Sequence, residues 1–175
     1  PHTMKQVLFC FSIILFFSSS GIYAQPFVFF LSDSVEVFRS DTLVEHAWAG
    51  GLNSVQVNTI DLNDDGRIDL ALYDRSTDKI STFLNTDSGL LYAPYLETGF
   101  PEVDFWMLLR DYDGDGLKDI FTGTSAGIKV YKNKGFLNGS LEWELIKDPV
   151  FSLGFSGRQV NLKIDITDVP AITDI

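Results

Sequence analysis

The sequence predicts an all-β fold of short antiparallel strands, and three observations carry that prediction. Fifteen Phe, six Tyr and three Trp accompany many Val, Ile and Thr, the residues that fit a pleated, half-buried surface. Apolar and polar residues alternate in "SVQVNTI" and "LEWELI", the period of two that places one strand face on a core. Between such runs stand the turn signals "DDG", "DSG", "SAG" and "NG", and no segment combines helical periodicity with caps.

From the N-terminus onward, the first element is not part of the fold. "MKQVLFCFSIILFFSSSGIYA", residues 4–24, has one Lys after a Met, an apolar run from Val7 to Phe17, and small residues ending at Ala24. That is the layout of a secretory signal peptide, which predicts a secreted or cell-surface protein. The apolar run is too short to span a bilayer comfortably, so no membrane span is expected in the mature chain. Residues 1–3 read as a remnant ahead of Met4. Cys10 lies inside the apolar run without a lipobox before it, so it is not read as a lipidation site. Cleavage after Ala24 leaves no cysteine, and an exported chain without disulfides needs another source of stability.

The rest of the chain repeats itself. "DLNDDGRIDL" at 61–70 recurs fifty positions later as "DYDGDGLKDI" at 111–120. "IDLALYD" (68–74) follows the first as "KDIFTGT" (118–124) follows the second, and "KISTFLN" (79–85) is aligned with "IKVYKNK" (128–134). An apolar run precedes each loop, "VQVNTI" (55–60) and "FWMLLR" (105–110), and "VEVFRSDTLVEHAW" (35–48) is similar to the stretch 128–148. Each unit therefore holds about four antiparallel strands, and its length fits the blade of a β-propeller. The expected architecture is a partial arc of such blades.

The acidic loops carry the chemistry. With the first Asp as position 1, Asp61, Asn63, Asp65 and Asp69 occupy positions 1, 3, 5 and 9, and Asp111, Asp113, Asp115 and Asp119 do the same in the second loop. Gly66 and Gly116 both fall at position 6, where a tight curl needs a positive φ. Alternate oxygen side chains on such a curl converge on one point, and the backbone carbonyls of Arg67 and Leu117 at position 7 can join them. Hard oxygen ligands in this number suit calcium better than zinc or copper. Asp64, the extra acid at position 4, is expected to point outward into solvent. The pattern departs from an EF-hand, which needs a bidentate Glu at position 12; here that position is Leu72 or Thr122. Asp–Gly clusters also form metal-free turns, but two in one register favour ligation. The second loop has four carboxylates where the first has three and Asn63, so it is expected to bind at least as tightly.

Charge and composition exclude other classes. A formal charge of −11 and a pI near 4.4 oppose nucleic acid as a partner, because a phosphate backbone demands a basic face. After cleavage His46 is the only histidine, there is no thiol, and neither GxSxG nor HExxH occurs, so no catalytic constellation is predicted. A glycosidase would need one carboxyl kept neutral in an apolar pocket, whereas a calcium loop keeps its acids ionised. Trp48, Trp106 and Trp143 can stack on sugars, but packing is the expected role.

These loops and strands resemble the FG-GAP or VCBS repeat, the blade unit of integrin-α-like β-propellers, over most of residues 35–175. The stretch 91–133 is also similar to exported Bacteroidota-type repeat proteins, although no type IX sorting domain follows. The resemblance implies calcium loops that join the first two strands of each blade, and a binding or adhesion role toward a protein or carbohydrate ligand. The alternative is a non-catalytic module of a larger secreted enzyme such as a polysaccharide hydrolase. Accordingly, residues 1–24 are assigned to the signal peptide and remnant. Residues 25–60 end one blade and open the next, 61–110 and 111–173 are repeats with calcium loops, and 174–175 begin a third loop at Asp174. Such an arc does not close on itself, so it is expected to belong to a longer protein and to associate through its open edges.

Overall fold

The computed structural model describes residues 34–165 and 167–173, all within one compact unit, Ser32–Ile175. The signal-peptide assignment, Cys10 and Asp174 lie outside the described residues. The fold is all-β and antiparallel. A short hairpin of β1 (Phe38–Arg39) and β2 (Thr42–Leu43) comes first. A four-stranded sheet follows, built from β3 (Val55–Ile60), β4 (Asp69–Asp74), β5 (Lys79–Thr86) and β6 (Gly89–Tyr92) in that order. A 3-10 helix, Pro94–Gly99, leads to a second four-stranded sheet: β7 (Met107–Arg110), β8 (Asp119–Thr124), β9 (Gly127–Leu137) and β10 (Ser140–Lys147). A last hairpin pairs β11 (Phe151–Leu153) with β12 (Gln159–Asn161). Among the described residues the strands form four separate sheets, and none closes on itself.

Both four-stranded sheets are simple meanders, and their central strands are buried on both faces. On β4, Ala71 and Tyr73 enter one core while Leu72 enters another with Phe83 and Tyr92. On β8, Ile120 and Phe121 divide the same way. The first core joins the two sheets, since Ile60, Ala71, Tyr73 and Leu84 meet Met107, Leu109 and Ile120 there. This two-faced burial is why "DLALYD" reads as a nearly continuous apolar run rather than as alternation. The 3-10 helix is a departure from the expected absence of helix. Pro94 begins it without donating, and its six residues are too few to show a period in sequence.

Polar side chains tie β3 to β7. The Asn58 amide donates to Met107 O at 3.1 Å and accepts from Leu109 N at 2.9 Å, while Gln56 Oε1 accepts from Met107 N at 2.8 Å. Asn58 thus pairs like a short piece of strand, and it is almost fully buried. Lys118 reaches back from the second sheet to Thr59 O and Oγ1, at 2.7 and 2.8 Å. These contacts set the two acidic loops, β3–β4 and β7–β8, on neighbouring hairpins.

The pairing corrects one alignment made from sequence. Leu70 faces Phe83 across β4–β5, and Ile120 faces Tyr131 across β8–β9. Asn85 therefore corresponds to Asn133, and the segment 79–85 corresponds to 127–133, not to 128–134. A slip of one residue exchanges the faces of every side chain, so Leu84 corresponds to Lys132. The error arose because the β8–β9 turn is shorter than the β4–β5 turn, and apolar matching alone cannot place a gap.

Candidate metal centre

Each loop is shaped by its own carboxylates. Asp61 Oδ2 accepts Gly66 N at 2.8 Å, and Asp111 Oδ2 accepts Gly116 N at 2.8 Å. Asp65 Oδ1 accepts Arg67 N at 2.9 Å, and Asp115 Oδ1 accepts Leu117 N at the same distance. Position 6 has positive φ as expected, 81° at Gly66 and 87° at Gly116, but position 4 is left-handed too. Gly114 takes 78° there, and Asp64 takes 60°. Asp is one of the few side-chain-bearing residues that visit this region, so Asp64 serves the turn while its carboxylate is exposed to solvent.

The last acid of each loop does a different job. Asp69 and Asp119 open β4 and β8 and are fully buried. Asp69 Oδ2 accepts Leu62 N at 2.9 Å and its Oδ1 accepts Asn85 N at 2.7 Å. Asp119 Oδ2 accepts Tyr112 N and its Oδ1 accepts Asn133 N, both at 2.7 Å. The side chains of Asn85 and Asn133 then donate to Ile68 O at 3.2 Å and Lys118 O at 3.1 Å. One carboxylate therefore locks the loop to the third strand of its sheet, twice, with the same atoms. Sequence reasoning missed Asn85 and Asn133; their signal was an Asn in both third strands, hidden by the misplaced gap.

The second loop brings Asp111, Asp113 and Asp115 together. One carboxylate oxygen from each lies within 4.8 Å of the others, so the triad can hold a metal ion. In the first loop, Asn63 Nδ2 donates to Asp65 Oδ2 at 3.1 Å and Asn63 Oδ1 accepts Asp65 N at 3.3 Å. Arg67 turns its guanidinium outward to Asp87, 2.8 Å away, and Leu117 is partly exposed.

A residue not foreseen enters the second loop. Lys132 on β9 ion-pairs with Asp113, and its Nζ lies 2.9 Å from Asp115 Oδ2. The Asp113 and Asp115 carboxylates in turn hold the lysine well above its usual range. Lys132 and the Leu117 N–H push Asp115 below the ordinary carboxylate range. The Arg67 N–H and the Asn63 amide do the same for Asp65, so both acids stay ionised as a cation site requires. Burial instead raises Asp119, against the pull of its two backbone donors.

The tryptophans and His46 lie apart from the loops. Trp106 is fully buried, Trp143 packs on Phe100 at 5.7 Å between ring centroids, and Trp48 is part-exposed with its Nε1 donating to Val35 O. His46 stands in a turn with its ring edge-on to Phe83. No helix among the described residues is long and apolar enough to cross a membrane.

Fold and site together define an all-β chain of antiparallel sheets, with an acidic hairpin loop that can hold a metal ion. Compared with protein-family models, with curated proteins and with solved structures, the chain gives no match.

Proposed function

We propose that this chain is a secreted, calcium-binding β-propeller repeat protein of the FG-GAP/VCBS kind, with a binding or adhesion role toward a protein or glycan and no catalytic activity of its own. One observation carries the reading. Two acidic loops occupy the same place, between the first two strands of two four-stranded antiparallel meanders, and share their internal hydrogen bonds. Backbone N–H groups account for Asp111 Oδ2 and Asp115 Oδ1, and Asp113 adds a third carboxylate with an oxygen within 4.8 Å of theirs. The donors are all oxygen, and calcium accepts six to eight of them in a flexible shell. Asp111, Asp113 and Asp115 would hold the ion directly, with Asp61, Asn63 and Asp65 as their counterparts. Calcium offsets part of the negative charge of each loop and closes a β-hairpin.

Calorimetric titration of the purified chain with calcium tests this. Two binding events are expected, and Asp115→Ala is expected to abolish one of them. No calcium uptake, or uptake indifferent to that substitution, overturns the reading.

A further inference from the structure

The two loops are alike in backbone but differ in what balances their charge. In the first sheet, the position matching Lys132 is Leu84, which is buried in the core that joins the two sheets. The second sheet covers that face of the first. On β9, Lys132 follows Ile128 and Val130 on one strand face; those two enter a different core, while Lys132 is half-buried beyond them and carries its ammonium to the second loop. There it touches Asp113 and Asp115, two members of the triad whose oxygens lie within 4.8 Å of one another. Among the described residues, no ammonium or guanidinium is paired with the acids of the first loop, since Arg67 is paired with Asp87.

We infer that Lys132 is the built-in counter-ion of the second loop: its ammonium holds the place of a metal, and a metal must displace it. The inference rests on the calcium reading and adds a ranking to it. Counting carboxylates puts the second loop first, but the lysine reverses that order, because a cation already paired with two of the acids must leave before the ion can use them. A monovalent ammonium and a divalent ion cannot share a triad this small without strong repulsion. The first loop then fills at low calcium and the second only at higher calcium, so the chain responds in two stages. Without metal, the lysine keeps the second loop from repelling itself open.

The test uses the purified chain with Lys132→Met and Lys132→Gln, two neutral variants of different polarity, and Lys132→Arg, which keeps the charge. Calcium is titrated by calorimetry, and melting is followed separately in EDTA. Both neutral variants are expected to bind calcium about tenfold more tightly at one site, with the other site unchanged. They should also melt lower than the wild type in EDTA, while Lys132→Arg stays close to wild type in both respects. Combining Lys132→Met with Asp115→Ala should erase the tightened site. Calcium bound with equal affinity by all four proteins overturns the inference and leaves the calcium reading standing. No uptake by any of them overturns both.

Discussion

Asp74, at the end of β4, is almost fully buried, and four hydrogen bonds converge on its carboxylate. The backbone N–H groups of Asn53, Ser54 and Ser76 and the Ser76 hydroxyl all donate to it, at 2.7 to 3.1 Å. Those donors, Asn53 first, hold its pKa far below the ordinary carboxylate range. Its stabilising effect is therefore complete above the unfolded-state value, near 3.9, and fades as pH falls through the lower folded-state value. Asp74→Ala is expected to lower the urea midpoint in EDTA at pH 7, and the gap to wild type should narrow below about pH 3.9. A gap constant from pH 7 to pH 2.5 would show that the carboxylate charge is not what stabilises. At the opposite end of their strands, Asp69 and Asp119 each take two backbone N–H groups.

Five of the six residues of β8 are buried. Gly123 lies under the Trp106 ring, and a Cβ added there would stand 2.6 Å from Nε1 and 3.2 Å from two ring carbons. The backbone at Gly123 is ordinary, so space alone excludes a side chain. Trp106 is fully buried and cannot swing away without opening the core it shares with Phe121, Ile128 and Val130. Gly123→Ala should destabilise by about 1–3 kcal/mol through overpacking, measured by urea unfolding at equilibrium. A change below about 0.5 kcal/mol, the usual range of surface substitutions, would mean that the ring is mobile. Gly123 pairs with Ile128 in the β8–β9 ladder, so the strain would reach the third strand and, through Asn133, the second loop.

The two sheets are joined, so they are expected to respond to a bound metal as one body. Gln56, Asn58 and Lys118 couple the β3–β4 hairpin to the β7–β8 hairpin, and one core runs between them. An ion bound only by the folded state adds about 2.7 kcal/mol when free calcium is a hundredfold above its Kd. EDTA should therefore lower the melting temperature by several degrees. The size of the drop should depend on the starting calcium concentration, as mass action requires. A melting curve indifferent to EDTA would contradict a stabilising metal. In Asp115→Ala, part of the calcium dependence should remain, because Asp61, Asn63 and Asp65 are untouched.

The sequence by itself determined the strands that flank the loops and the places of the turns. "VQVNTI" is β3 residue for residue, and Asp69 and Asp119 begin strands as their place before apolar runs implies. Such features are local: alternation, β-branched residues and Asp–Gly turns act within a few residues of themselves. The acids of the loops were legible for the same reason, since their spacing is set by one curl of backbone. Only the tertiary structure decided the rest. The exchange of Leu84 for Lys132 depends on strand register, which turn lengths and the buried face settle together. The role of Asn58 depends on β7 lying beside β3, forty-nine residues away from it at Met107. The ammonium in the second loop comes from a strand beyond the loop's own hairpin, and no spacing rule within the loop announces it. Contacts between distant residues are chosen by packing, because the side chain that arrives at a site is settled by which faces are buried and not by the residues next to it in the chain.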